Sequence, residues 1–287
     1  MDLKTLSETP PWDRPKEAGR IILDTLGDRR AANADRLLAA ELAGEPAGVD
    51  DERVEALLSI LRAADEPEDL RSRAAIALGP ALEDADLADP EDPEDSAITQ
   101  RTFQAVQATL RNLYLDGGVP KAVRRATLEA SVRAPQDWHQ DAVRAAFSSG
   151  DADWRLTAVF CMQYFRGFDE QILEALKSSD LLVRTHAVSA AGAWQIQPAW
   201  PYVAALVASP ETEKPLLLAA IDAVASIRPA EAPAILGGLV ENRDEDIAEA
   251  VFEALGMAEG LEADYDDDDD DDDGDDDDGD DDDGLIR

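Results

Sequence analysis

Small and apolar residues recur along the chain at the spacing of one helix face. Seven ten-residue segments share the pattern, among them "VRTHAVSAAG" at residues 183–192. Counting each segment from position 0, position 0 is apolar in six, position 4 is mostly small and position 7 is mostly Ala. At ~100° per residue, positions 0, 4, 7, 8 and 11 lie on one side of a helix. The stripe that they form is as wide as the buried face of an ordinary amphipathic helix. Each segment therefore predicts an amphipathic helix, and the segments start at residues 35, 70, 123, 154, 183, 216 and 247.

A second helix is predicted in front of each of these segments. Most of the preceding stretches begin with Pro, Asp or Glu, the residues that favour a helix N-terminus. They cover residues 14–26, 50–64, 99–115, 135–149, 169–179, 197–209 and 230–242. Most segments start about thirty residues apart, the length of one helical hairpin. The pattern predicts an all-α fold, a right-handed α-solenoid of about seven hairpins and fourteen helices.

The domain organisation follows from where this pattern begins, breaks and ends. Residues 1–13 form an N-terminal extension, and the solenoid spans residues 14–262. One interval between segments is 53 residues long, and its excess coincides with the Pro-broken acidic stretch 83–97, which predicts an inserted loop. Residues 263–287 are dominated by Asp, and such a self-repelling tail is expected to be disordered.

The stretch "DLLVRTHAVSAAG" at residues 180–192 resembles HEAT repeats, specifically the short PBS-lyase-like kind with the motif DxxVRxxAxxALG. A second clear copy lies at 67–79, and the resemblance extends over roughly residues 14–258. It implies a ladder in which the Arg at position 1 and an Asp at the helix start bind neighbouring backbone and side chains. The ladder residues are Arg71, Arg124, Asp151, Arg155, Asp180 and Arg184. The i, i+4 spacing also allows Asp151 to pair with Arg155, and Asp180 with Arg184.

The charge of the chain narrows the choice of partners. There are 64 acidic and 26 basic residues, a net charge of −38. This charge repels phosphate backbones and anionic lipids, so we expect neither nucleic acid nor membrane as a partner. Only five of the basic residues are lysines, a composition typical of proteins adapted to high salt. The start lacks the apolar core of a signal peptide, and a cytoplasmic location is expected.

Known chemistry of HEAT-like proteins does not transfer to this sequence. Deoxyhypusine hydroxylases hold iron with repeated His-Glu pairs, whereas here His139 is followed by Gln140 and His186 by Ala187. Two histidines in different repeats supply too few ligands for zinc. The sequence also contains no GxSxG, GxGxxG or P-loop motif. We therefore predict no catalytic residue and no cofactor, and expect the lone Cys161 to be a core residue.

A second face of the repeat is the candidate binding surface. Positions 3, 6 and 10 lie on the side that a solenoid typically turns to its concave surface. The fourth segment places Phe160 and Tyr164 there, and the fifth places His186 and Ser189 beside them. Aromatic residues on such a face are typical anchors for a partner segment. The alternative is that a neighbouring helix or loop covers them. The core is expected to hold the tryptophans Trp138, Trp154, Trp194 and Trp200.

The Asp tail has three interpretations. It solubilises the protein, it captures basic segments of a partner, or it binds divalent cations weakly. Asp269, Asp271 and Asp273 begin like an EF-hand loop, but the twelfth position is Asp280 rather than Glu. Only a diffuse calcium site is expected from it.

The leading functional prediction is a monomeric, non-enzymatic scaffold that binds a protein partner, with the tail serving solubility or capture of basic segments. One alternative is an accessory enzyme of the bilin-lyase type or a chaperone-like enzyme, which rests on the family resemblance alone. Another is a protein that sequesters divalent cations or basic proteins.

Overall fold

The computed structural model of the chain describes residues 2–89 and 96–268, and all regular structure in those residues is helical. The prediction of an all-α fold is confirmed. The α-helices are α1 (Leu3–Ser7), α2 (Ala18–Gly27), α3 (Asn33–Ala43), α4 (Asp51–Arg62), α5 (Glu68–Ala77), α6 (Gly79–Leu87), α7 (Gln100–Leu115), α8 (Lys121–Ser131), α9 (Asp137–Ser148), α10 (Ala152–Cys161), α11 (Asp169–Ala175), α12 (Leu181–Ala193), α13 (Trp200–Ala208), α14 (Lys214–Ile227), α15 (Ala232–Leu236) and α16 (Glu245–Asp268). Short 3₁₀ turns cover Pro11–Asp13, Gln197–Ala199, Pro229–Glu231 and Gly237–Leu239.

The stripe of small residues explains how the second helix of each hairpin packs. All seven residues at position 4 are buried, namely Ala39, Ala74, Thr127, Ala158, Ala187, Ala220 and Val251. All seven residues at position 7 are buried as well, namely Leu42, Ala77, Ala130, Cys161, Ala190, Ala223 and Ala254. Small side chains at both positions let neighbouring helices approach closely while still excluding water.

Polar side chains fix where several helices begin. Asp50 accepts a hydrogen bond from the backbone N–H of Arg53 (2.8 Å) in front of α4. Asp151 does the same for Asp153 and Trp154 at the start of α10, where Gly150 takes a positive φ of 74° in the preceding turn. Each cap satisfies backbone donors that a helix N-terminus otherwise leaves unpaired.

Residues 1–190 form one compact unit made of stacked hairpins. Its hairpins are α2/α3, α4/α5, α7/α8 and α9/α10. The second helices form one layer, because α3 packs on α5, α5 on α8 and α8 on α10. The first helices α2, α4 and α7 form the other layer. Helix α1 covers the first hairpin by burying Leu3 and Leu6.

The described residues from 191 onward form the second unit. Here α13 pairs with α14, and α14 packs on α16, which also contacts the short helix α15. Each unit therefore consists of stacked helical hairpins, as a helical-repeat protein does. The predicted right-handed sense of the superhelix stays a prediction.

The inserted stretch 83–97 is partly helical, so the prediction of a loop was wrong for its first residues. Helix α6 extends to Leu87 because Ala81 and Leu82 are buried and α6 packs on α7 and α8. The Asp84 carboxylate then accepts a hydrogen bond from the Ala97 backbone N–H at 2.9 Å. Residues 90–95 lie outside the described part of the chain.

The C-terminal helix α16 continues to Asp268, past the predicted start of the tail at residue 263. The remaining poly-Asp residues, 269–287, lie outside the described residues, and so does the predicted disorder there. Within the described residues, no helix combines the length and the apolar character needed to cross a membrane.

Candidate interaction surface

Three of the arginines at position 1 connect the two helices of a hairpin. The Nε of Arg36, Arg71 and Arg124 donates to the carbonyl oxygen of the residue ten positions earlier, which is Leu26 (3.1 Å), Leu61 (3.1 Å) and Tyr114 (2.8 Å). Those carbonyls lie in the last turn of α2, α4 and α7, where a helix leaves its acceptors unpaired. The arginines therefore have a structural role, fixing the second helix against the end of the first.

The acid–base pair that the i, i+4 spacing allowed between Asp151 and Arg155 is replaced by other contacts. Arg155 pairs with Glu174 at 2.8 Å, and Asp151 is bound by Lys121 at 3.0 Å. Asp180 accepts from the backbone N–H groups of Leu182 and Val183 at the start of α12, as Asp151 does at α10. Both carboxylates thus satisfy backbone donors that the start of a helix leaves unpaired. Arg184 is half-buried on α12.

A second ladder, which the sequence analysis missed, connects the starts of neighbouring second helices. Lys121 reaches Asp151 and Asp153 of the following repeat, and Lys214 reaches Asp244 (2.7 Å) and Asp246 (2.6 Å) in the same way. The ammonium groups lower the pKa of Asp151 and Asp244. The sequence signal for this second ladder was an Asp-x-Asp motif at the start of two of the helices.

The candidate binding residues Phe160, Tyr164 and His186 come together as one aromatic patch. The ring centroids of Phe160 and Tyr164 are 5.5 Å apart, and the His186 ring lies edge-on to Phe160 at 5.3 Å. All three side chains are half-buried. They are therefore neither fully exposed nor fully covered by a neighbouring helix or loop. Ser189, the fourth candidate, is also half-buried and donates its hydroxyl to the Thr185 carbonyl of its own helix (3.3 Å).

Polar groups surround the aromatic patch. The Arg133 guanidinium lies 5.4 Å from the Tyr164 ring centroid and forms an ion pair with Glu83 of α6. Nδ1 of His186 lies 3.3 Å from the side-chain nitrogen of Gln163. Burial lowers the pKa of His186 and raises that of Tyr164, so both rings favour the neutral form. The patch therefore offers apolar ring faces within a rim of charged and amide groups.

A polar strip continues from the patch across α8. The Thr157 hydroxyl donates to Glu129 (2.6 Å) and accepts from Nε of Arg125 (2.9 Å). Burial raises the pKa of Glu129. Beyond this strip lies a groove of about 420 Å³ between α5 and α8, whose lining includes Ile76, Arg125 and Glu129. Ile76 is 39% exposed there, which gives the groove an apolar contact.

Arg133 and Glu83 were not predicted as surface residues from the sequence. Arg133 occupies position 10 of the third segment, as Tyr164 does in the fourth, so a comparison of that position across repeats would have found it. Glu83 reaches the surface only because α6 is a helix, which the sequence pattern did not indicate.

The other residues considered for chemistry have structural surroundings. His139 is buried in the N-terminal cap of α9, where its Nδ1 accepts from the Gln136 backbone N–H (2.8 Å) and its Nε2 lies 2.9 Å from the Ser131 hydroxyl. Cys161 is fully buried, and burial raises the pKa of its thiol, so it is the core residue that was predicted. Among the predicted core tryptophans Trp200 is buried, whereas Trp138, Trp154 and Trp194 are half-buried.

No group of three or more His, Cys, Asp or Glu side chains in residues 2–89 and 96–260 is placed to hold a metal ion. The three tail residues named for weak calcium binding, Asp269, Asp271 and Asp273, lie outside the described residues.

Comparisons with known proteins return structural similarity only. No protein-family model and no curated protein sequence matches the chain. Among solved structures, it is similar to human deoxyhypusine hydroxylase in complex with glycerol, with 18% identity over 90% of this chain and 88% of that one, and a TM-score of 0.40. It is also similar to YibA of Escherichia coli (14% identity, 85% and 98% covered, TM-score 0.36) and to an engineered protein (17% identity, 84% and 96% covered, TM-score 0.34).

Proposed function

We propose that the chain is a non-enzymatic, HEAT-type scaffold that binds a segment of a partner protein on the face formed by α5, α8, α10 and α12. The observation that carries the proposal is the aromatic patch of Phe160, Tyr164 and His186. Aromatic side chains that keep part of their surface open, within a polar rim, are typical centres of protein interfaces.

The surroundings of the patch support binding of an extended or helical segment rather than a small molecule. The groove beside Ile76 and the patch lie on the same layer of second helices and are joined by the Arg125–Thr157–Glu129 strip. A row of separate contacts along a layer of helices suits a chain segment, whereas small-molecule sites bury most of their ligand. Charged side chains of both signs lie along it, which can fix the register of a bound segment; they are Arg125, Arg133, Glu83 and Glu129.

His139 and Cys161 do not support an enzymatic function as an alternative. The Nδ1 of His139 is engaged in the cap of α9 and its Nε2 by the Ser131 hydroxyl of α8, and Cys161 is enclosed in the core. The proposal includes a tail that keeps the acidic protein soluble or captures basic segments of the same partner.

The test compares proteins captured from a cell extract by the immobilised full-length chain and by the double variant Phe160→Ala/Tyr164→Ala. The wild type should retain specific proteins that the double variant retains at least tenfold less, because the anchor rings are gone. The matched control is Trp12→Ala, which removes an aromatic ring that is 82% exposed elsewhere in the same unit.

Thermal unfolding followed by circular dichroism must show that the double variant still unfolds cooperatively. The same proteins retained by wild type and double variant would contradict the proposal. A loss of helicity in the double variant would show that the two rings serve packing, and the single variant His186→Ala would then repeat the capture test.

A further inference from the structure

In two repeats, the glycine at position 9 lies where the second helix of the following repeat packs closely against it. A Cβ atom added to Gly44 would lie 2.7 Å from the Cα of Ala77, and one added to Gly192 would lie 2.9 Å from the Cα of Ala223. Real Cβ atoms do not approach a backbone so closely, so only glycine permits these contacts. Ala77 and Ala223 both occupy position 7 of the following segment. At Gly44 and at Gly192, a second helix therefore carries a glycine where the next second helix crosses it, whereas a Cβ atom on Gly79, also at position 9, would meet the Arg133 side chain.

Helix α16 is the second helix of the seventh repeat. At its position 9, no described helix packs against it. Gly256 occupies position 9 of the seventh segment, and no described residue lies within 4 Å of a Cβ atom built there. Gly260, one turn later, is equally open. Phe252, one turn earlier on the same side, is 80% exposed, and the adjacent Met257 is 41% exposed. Together Phe252, Gly256, Met257 and Gly260 form what we call the end face.

Two independent observations indicate that the end face lacks a helix packed against it. Gly256 occupies the position at which Gly44 and Gly192 contact another helix, and the large apolar side chains of the end face are exposed although such residues usually are not. A helix that crossed at Gly256 would cover Phe252, because residues four apart lie on one side of a helix.

Charge decides what can occupy the end face. Glu249, Glu253 and Glu259 are exposed on the same helix, and no lysine or arginine occurs between residues 244 and 286. A second copy of this chain would bring like charges together, which costs free energy at an interface. A cationic partner gains from the same charges.

We propose that the end face of α16 binds a cationic amphipathic helix of a partner protein, with a small residue of that helix crossing at Gly256. The site lies in residues 191–287 and does not depend on the aromatic patch, so it can fail or succeed independently of the proposed scaffold function.

The experiment measures binding of a fluorescein-labelled synthetic peptide of about 18 residues to the full-length protein by anisotropy in 0.15 M KCl. The peptide carries leucine and alanine on one helical face and lysine on the other. A scrambled peptide of identical composition has the same charge but no apolar face. The amphipathic peptide should bind at least tenfold more tightly than the scrambled one.

Two variants locate the binding site. Phe252→Glu and Gly256→Val should each weaken binding of the amphipathic peptide at least tenfold, although the added glutamate attracts a cation. Trp12→Glu makes the same exposed aromatic-to-acid change in the other unit and should leave the affinity unchanged. Circular dichroism should give both end-face variants the helicity of the wild type, and Gly256→Ala is the milder replacement if Gly256→Val lowers it.

Equal affinity for the two peptides, or unchanged binding by Phe252→Glu, would overturn the proposal. Loss of binding in Phe160→Ala/Tyr164→Ala would place the peptide on the aromatic patch and overturn it too. If sedimentation velocity shows a wild-type dimer that Phe252→Glu dissociates, the end face binds a second copy and the cationic partner is wrong.

Discussion

His139 is the titratable residue that folding constrains most clearly. Its ring is 1% exposed, and Nδ1 accepts a backbone N–H, so that nitrogen carries no proton in the folded state. Burial lowers the pKa of His139 from 6.5 to about 4. The folded protein therefore excludes the charged imidazole that the unfolded chain readily forms.

This pKa difference makes stability depend on pH in a defined direction. Between pH 6.5 and 4 the unfolded chain binds a proton at His139 and the folded chain does not, so stability falls as the pH falls. The contribution of His139 is complete above about pH 6.5, and it decreases by about 3 kcal/mol down to pH 4. Urea unfolding of wild type and His139→Gln at pH 4.5, 5.5 and 7.0 should show a steeper pH dependence in the wild type.

The comparison with His139→Gln is needed because the many carboxylates of this chain also begin to titrate in this range. Their protonation lowers self-repulsion and acts in the opposite direction. The difference between the pH dependences of the two proteins gives the contribution of His139 alone. Equal slopes for the two proteins would show that the buried ring does not control the pH response.

At the scale of elements, an arginine of the ladder connects the two helices of the hairpins α2/α3, α4/α5 and α7/α8. Arg71 is 5% exposed and its Nε donates to the Leu61 carbonyl at the end of α4. Replacing Arg71 by Met should lower the free energy of unfolding by about 1–3 kcal/mol, because the carbonyl loses a charged donor in a place that water does not easily reach. Equilibrium unfolding in urea measures the change.

Arg73 supplies the matched control for this substitution. It lies on the same helix, its side chain is 47% exposed, and its ion pair with Glu41 is long at 3.7 Å. Arg73→Met should change the stability by no more than about 0.5 kcal/mol, as is usual for surface positions. Equal effects of the two substitutions would show that the ladder bond contributes nothing specific.

The helices were predictable to the extent that their packing repeats. Positions 4 and 7 recur in seven segments, and the same small side chains are buried in each, so the sequence pattern and the structure carry one signal. Helix α6 was missed because its sequence is Pro-containing and acidic and occurs only once. What stabilises it is the burial of Leu82 against neighbouring helices, which no local pattern displays.

The candidate surface was predictable in the same limited way. Counting positions at 100° per residue brought Phe160 and His186 to one face, and the structure places their rings in edge-on contact. The acceptors of Arg71 and Arg124 are backbone carbonyls of a preceding helix, so side-chain patterns could not identify them. The open position at Gly256 became recognisable only after Gly44 and Gly192 had shown what glycine does there.

At the scale of the whole molecule, charge is the dominant feature. The net charge of −38 is not confined to residues 269–287, because the chain shortened to residues 1–268 would still carry −26. Ion pairs such as Lys214–Asp244 offset a few of these charges locally. Exposed pairs contribute little to stability, whereas unbalanced like charges repel over the full Debye length.

Salt should therefore stabilise this protein although it weakens its ion pairs. The Debye length falls from about 30 Å at 0.01 M to about 3 Å at 1 M, so the repulsion among distant carboxylates is removed first. We expect the melting temperature to rise by on the order of 5 °C between 0.01 M and 1 M KCl. Calorimetry of the full chain and of residues 1–268 measures it, and the shorter chain should keep most of the rise because most of the charge remains. A melting temperature that stayed constant or fell with KCl would mean that local ion pairs outweigh the net charge, and the lysine-poor composition would then have no connection with salt.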